Sequence, residues 1–364
     1  MQLVIEEVVP ETDDLTKIEG LTDEDSEEIL SEYSITSYGA DYPIDGLVKR
    51  INDGSIVIPP FQRDFVWTIK QASRFVESLL LGLPVPGIFL SREQNSQKLL
   101  VIDGQQRLKT LQFFYSGLFS PTSRAFLLSG LRSRFEGATY KTLLDEDRRR
   151  LDDAILHATV VKQDEPTNDD SSIYNIFERL NTGGTLLAPQ QIRASIYHGS
   201  FNELLGELNN DANWRNVFGP INKYMRDQEL ILRFFALYYN AESYRQPMKS
   251  FLNSYMEANK AVQKQALEQL SELFNSTIKV VNDCFGKQAF RPERALNAAV
   301  FDAVMIGLAR RLQSEGKVVP QSIQDCYKTL VEDDDFKSAT ERATSDEVRV
   351  SLRIRLATEA FAQA

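Results

Sequence analysis

Leu99-Leu100-Val101-Ile102-Asp103-Gly104-Gln105-Gln106-Arg107 is the stretch around which the chain is organised. Four apolar residues, Leu99 to Ile102, predict a short buried strand. Asp103-Gly104 breaks it. Apolar residues then return at helical spacing in Leu108, Leu111, Tyr115 and Leu118. A strand therefore turns sharply into a helix, and the polar cluster sits on the turn. Backbone N–H groups and the positive helix end point at whatever lies there, and phosphate is the natural occupant. The plain alternative is an ordinary helix start, with Asp103 as N-cap and Gln106 at the third position. Two glutamines and an arginine exceed what a cap requires.

Upstream, Pro43 to Asp53 reads as a short helix and Ser55 to Ile58 as a strand stopped by Pro59-Pro60. Phe61-Gln62-Arg63-Asp64-Phe65-Val66-Trp67 follows, neither helical nor alternating, and reads as a loop serving a site. Thr68 and Gln71 form a capping-box signature. Ala72, Phe75, Val76, Leu79, Leu80 and Leu83 make one apolar face, so a helix is predicted over 68–83. Gly87 to Leu90 is a second strand, and a polar turn over 91–98 returns the chain to Leu99, giving a hairpin.

Downstream, a helix is expected over 108–119 and a strand over His157 to Val161. A polar loop is expected over 162–172, a helix over 173–180, and another over Leu186 to Tyr197 with Pro189 in its first turn. Asn181-Thr182-Gly183-Gly184 reads either as a helix C-cap or as a glycine-rich loop closing over phosphate. Beyond 201 the recurrences at three and four predict helices throughout. Arg226-Asp227-Gln228-Glu229 with Arg233 reads as a surface network on one of them, or else Arg226 or Asp227 reaches into a cleft between the halves.

The 364 residues suggest two domains and carry a formal charge of −11. Residues 1–34 hold twelve acids against Lys17 alone, which accounts for the whole imbalance. An acidic, partly disordered leader is expected over 1–38, a mixed domain over 39–200 and a helical subdomain over 201–364. The formally neutral body leaves room for a basic cleft and nucleic acid. No run is long and apolar enough for a membrane span, and the start lacks a signal-peptide pattern. Cys284 and Cys326 stand far apart, so a reducing, cytoplasmic setting is expected. His157 and His198 are the two histidines, too few and too separated for a histidine-based nuclease or zinc site.

Three blocks together resemble the N-terminal domain of GmrSD-type restriction endonucleases: Phe61 to Trp67, Ile102 to Leu108, and Phe177-Glu178-Arg179-Leu180-Asn181-Thr182-Gly183-Gly184. The helix from Arg226 to Phe234 is similar as well. The resemblance covers roughly residues 40–240. It implies an α+β, ParB/sulfiredoxin-like fold: a small mixed sheet with helices, followed here by an all-α part. It also implies binding and hydrolysis of nucleoside triphosphates, in control of the cutting of modified phage DNA. Carried over by position, Asp103, Gln105, Gln106 and Arg107 become catalytic or nucleotide-site residues. Gln62 and Arg63 stand beside them, and the residues themselves offer Trp67, as a stacking face or as core, with Gly104, Asn181, Gly183 and Gly184 as further nucleotide-binding candidates. Arg63 and Arg107 would neutralise phosphates, Asp103 would hold Mg2+ or orient a water, and Gln105 or Gln106 would position that water or read the base.

Family members usually carry a C-terminal His-Asn-His nuclease, and residues 240–364 contain no histidine. A regulatory, nucleotide-handling component is therefore expected, with a separate nuclease subunit, DNA or a second copy as partners. The alternatives are a non-catalytic module sensing nucleotide or DNA, and an interaction scaffold.

Overall fold

The computed structural model describes residues 18–21, 34–59, 65–93, 96–165, 171–180, 187–315 and 319–364. In chain order the elements begin with β1 (Ile18–Glu19), β2 (Ser34–Pro43), α1 (Ile44–Asn52), β3 (Ile56–Val57), α2 (Ile69–Leu80), β4 (Ile88–Arg92), β5 (Leu99–Asp103) and α3 (Gln105–Ser116). Next come β6 (Leu118–Phe119), β7 (Arg124–Ala125), α4 (Asp145–Asp152), β8 (Ile155–Glu165), α5 (Ser171–Leu180) and α6 (Pro189–Ile196). The remainder is α7 (Ser200–Leu208), α8 (Ala212–Phe218), α9 (Arg226–Asn240), α10 (Met248–Ala258), α11 (Lys264–Phe285), β9 (Leu296–Asn297), α12 (Ala298–Glu315), α13 (Pro320–Glu332), α14 (Asp334–Glu341) and α15 (Glu347–Phe361). Two compact units result, Leu30–His198 and Gly199–Ala364 with Met1–Ile29.

The first unit is α+β. Its five-stranded sheet has the order β2-β8-β4-β5-β3, with β4 antiparallel to β5 and parallel to β8. Alternate residues of the strands face one core. Ile88, Leu90, Leu99, Val101, Leu156, Ala158 and Val160 meet Ile44, Leu47 and Val48 of α1, Ala72 to Leu80 of α2, and Leu108, Leu111 and Phe114 of α3. Period two on the strands and three-to-four on the helices place these side chains together. The α2 helix begins on the expected capping box, with Gln71 N–H donating to Thr68 Oγ1 and Thr68 N–H to Gln71 Oε1. It stops at Leu80, short of Leu83, because Gly82 takes a positive φ of 68° and turns the chain out; Leu83 is exposed.

Other boundaries moved too. The α3 helix stops at Ser116 where Gly117 adopts φ 78°, and Leu118–Phe119 form a short hairpin with Arg124–Ala125 in place of the last predicted turn. The β8 strand runs on to Glu165 through residues expected to be loop. It does so because β2 pairs with it along its whole length, from Ser34↔Glu165 to Pro43↔Ile155. The expected leader over 1–38 is accordingly corrected at its end: Ser34 to Tyr38 are strand. As an edge strand, β2 is exposed at most positions and lacks the alternation that reveals a strand in sequence.

Two tyrosines pin α4. Tyr115 Oη and Tyr140 Oη both donate to Asp152 Oδ1, at 2.6 and 3.0 Å, and their rings stack with centroids 4.2 Å apart. Burial, then the bond to Asp152, pushes the Tyr140 phenol up to about 12 and raises that of Tyr115 further.

The second unit is helical apart from the two-residue parallel pair of β1 with β9. The Arg226–Arg233 stretch is not a surface network. Asp227, Glu229 and Arg233 are buried. Asp227 Oδ2 accepts from Asn209 Nδ2 at 3.0 Å, Arg215 Nη1 at 2.9 Å and Asn222 N–H at 3.0 Å. Arg233 grips Asp302 with Nε at 3.1 Å and Nη2 at 2.6 Å, and Arg353 Nη2 reaches the same carboxylate at 3.0 Å. An i,i+4 reading cannot see Asp302, which lies 69 residues away.

Candidate nucleotide site

Between β5 and α3 the strand-to-helix turn is built as the sequence suggests, with a different cap. Gly104, not Asp103, occupies the N-cap position, and no side chain caps the helix. Its φ is +101°, in the region that favours glycine. Space makes the same demand: a Cβ on Gly104 would stand 2.3 Å from Ile88 Cγ2 and 2.9 Å from its Cβ. The turn is therefore closed by backbone alone, against a core isoleucine of the neighbouring strand.

That frees Asp103 for another role. Its side chain is 49% exposed at the strand end, and Oδ2 accepts from Arg107 Nη2 at 3.2 Å. Arg107, one helical turn on, is 16% exposed. Its Nη1 donates to the carbonyl of Gly87, and it lies 3.4 Å from that of Pro86. One carboxylate and two carbonyls thus hold the guanidinium in a fixed plane beside the turn.

Gln105 and Gln106 are both buried. Gln106 Oε1 accepts from Val66 N–H at 2.9 Å and Trp67 N–H at 3.2 Å. This glutamine docks the end of the preceding loop onto α3. Trp67 packs edge-on against Phe75 at 5.8 Å between centroids, so its ring is largely used in packing. Gln62, Arg63, Asn181, Gly183 and Gly184 lie outside the described residues. The convergence expected of Arg63 with Arg107 therefore falls outside them too, while Gln106 fixes Val66 and Trp67 against α3.

Among the described residues no three His, Cys, Asp or Glu side chains gather where they could hold a metal ion. Asp103 supplies one carboxylate. That fits Mg2+ that draws its remaining ligands from phosphate oxygens and water, and it does not fit an all-protein cage.

The sequence reading missed the carbonyls of Pro86 and Gly87 as partners of Arg107. The signal was available: a lone glycine among prolines just before a strand marks a close backbone approach. A Cβ on Gly87 would stand 2.8 Å from the carbonyl oxygen of His157 on β8.

Residues 44–198 match the family model of the GmrSD restriction endonuclease, N-terminal domain. This stretch, under half of the chain, is similar to a GmrSD N-terminal domain. The match covers the sheet from the start of α1 onward, the Asp103–Arg107 turn and α5–α6. The chain is also 33% identical over 99 residues to an uncharacterized protein of Methanocaldococcus jannaschii, which covers 21% of this chain and 16% of that protein. The chain therefore spans well under two thirds of that relative. Among the described residues no helix is long and apolar enough to cross a membrane.

Proposed function

We propose that the GmrSD-like domain of this chain binds and hydrolyses a nucleoside triphosphate, as a regulatory component of a restriction system directed at modified DNA. The observation that carries the reading is the Asp103–Arg107 turn. A helix start without a side-chain cap, a half-exposed carboxylate and a fixed guanidinium lie within one helical turn. The backbone N–H groups and Arg107 suit phosphate oxygens. Asp103 would hold Mg2+, which when bound neutralises phosphate charge. Gln106 holds Val66 and Trp67 against α3, and in this reading Gln62 and Arg63, which precede them in sequence, also serve the ligand. A ParB/sulfiredoxin-like fold and a partner nuclease, DNA or second copy belong to the same reading.

A binding-only module is the second reading, and one observation favours it: Arg107 is already engaged by Asp103 and Gly87. The deciding experiment is a panel of nucleoside triphosphates assayed for binding and phosphate release, with and without DNA, before and after Arg107→Ala. Loss of binding and turnover is expected. Turnover unaltered by Arg107→Ala removes this arginine from the mechanism, and binding without phosphate release in the unmodified protein selects the second reading.

A further inference from the structure

A second polar pair lies at the same end of the sheet as the turn. Asp41 on β2 and His157 on β8 are direct cross-strand partners, and His157 Nδ1 donates to Asp41 Oδ1 at 2.8 Å. Both side chains are largely in solvent, 67% and 60% exposed. An exposed pair of this kind contributes little to stability. What it does is chemical. A carboxylate oxygen accepts, so Nδ1 is the donor in this bond, and Nε2 is the ring nitrogen that Asp41 does not engage.

The neighbouring strand leaves room for the ring. Gly39 lies two residues from Asp41 on the same sheet face, and a Cβ there would stand 3.0 Å from His157 Cε1 and 3.5 Å from Nε2. Gly39 is not among the positive-φ glycines, so backbone freedom does not explain it. Room for the ring does.

The pair is tied to the turn through one glycine. Arg107 Nη1 donates to the Gly87 carbonyl, and Gly87 itself sits against the His157 carbonyl oxygen. In the sheet register Asp103 pairs with Phe89, and Phe89 with Thr159, two residues along β8 from His157. Strand spacing and rise put the Asp103 and His157 backbones roughly 12 Å apart. A nucleotide spans that distance.

We propose that His157 accepts the proton of the water that attacks the terminal phosphate, and that Asp41 is its positioning residue. This rests on the nucleotide reading above. The water oxygen forms a bond to the terminal phosphorus, and the bond from that phosphorus to the bridging oxygen breaks. The diphosphate leaves with the electron pair, facing Arg107. The water proton passes to His157 Nε2, Asp41 stabilises the imidazolium, and solvent takes the proton back. The products are nucleoside diphosphate and inorganic phosphate.

The test measures nucleotide binding and phosphate release separately on the full chain. Because the pair is exposed, His157→Ala and Asp41→Asn should fold, which circular dichroism checks. His157→Ala is expected to lower kcat about 100-fold with KM unchanged, a typical general-base effect. Added imidazole should restore part of the lost turnover. Asp41→Asn should lower kcat by less, again without a KM change, and Asp41→Glu should recover most of it. Arg107→Ala should instead weaken binding. If the protein turns nucleotide over and His157→Ala does so equally well, or loses activity that imidazole does not restore, the inference falls and the nucleotide site stands. Binding without phosphate release likewise overturns the inference alone. Failure to bind any nucleoside triphosphate overturns both.

Discussion

Two of the places where arginine meets aspartate among the described residues, one in each unit, contrast in their solvation. In the α+β unit Arg107 meets Asp103 at the end of a strand, with the carboxylate half in water and a single 3.2 Å contact between them. In the helical unit Arg233 and Arg353 share Asp302, all three essentially fully buried. Burial alone lowers an arginine pKa, and it wins at Arg353; at Arg233 Asp302 outweighs it and the shift is upward. A carboxylate under two buried guanidiniums cannot be given up to a ligand, because its loss strands charge in a low-dielectric interior. The exposed pair can be, since water replaces either partner cheaply. Identical chemistry is thus locked in place where it is dry and remains exchangeable with water where it is wet.

The largest expected effect breaks the buried cluster. Asp302→Asn should cost about 3–5 kcal/mol, read as a lower denaturant midpoint, because two buried guanidiniums lose their counter-charge. A midpoint close to that of the unmodified protein would end the distinction drawn above. Next is Gly104→Ala, which imposes φ +101° on a side chain and drives a Cβ into Ile88; a loss above about 2 kcal/mol is expected from strain and overpacking. Gln106→Ala should cost about 1–3 kcal/mol by leaving the Val66 and Trp67 N–H groups without their acceptor, with faster hydrogen exchange at those two amides. Unaltered exchange there would show that the loop does not depend on α3. Asp103→Asn should change stability by less than about 1 kcal/mol while weakening nucleotide binding, the outcome that most sharply separates it from Asp302→Asn. The smallest effect is alkaline. Tyr140 holds its proton to about 12, so stability contributed by this group is complete below the ordinary tyrosine value near 10 and falls as pH rises from there towards 12. Asp152→Asn should move the phenol's ultraviolet titration downward, with burial keeping it above 10.

How much of this was legible beforehand depended on the range of the interaction. The capping box of α2, the hairpin of β4 and β5, and the break at Asp103-Gly104 rest on residues within a turn of one another, and each appears where the spacing placed it. The choice between Asp103 and Gly104 as cap was not legible. It turns on the approach of Ile88, which a linear pattern does not contain. The β2 strand escaped notice because an exposed edge has no inside and outside to alternate between. The Arg226–Arg233 helix follows from its spacing but its burial does not, since Asp302, the partner of Arg233 that Arg353 also holds, is supplied by a distant helix.

By itself, then, the amino-acid order determined the periodicities, the caps and the concentration of polar residues at a strand-to-helix turn, because these depend on neighbours three or four positions away. Tertiary structure alone decided which carboxylates are wet and which are dry, and it set His157 beside Asp41 and Gly87. Solvation and cross-strand register are properties of the packed chain, and residues distant in sequence acquire them only when the sheet and the helices close.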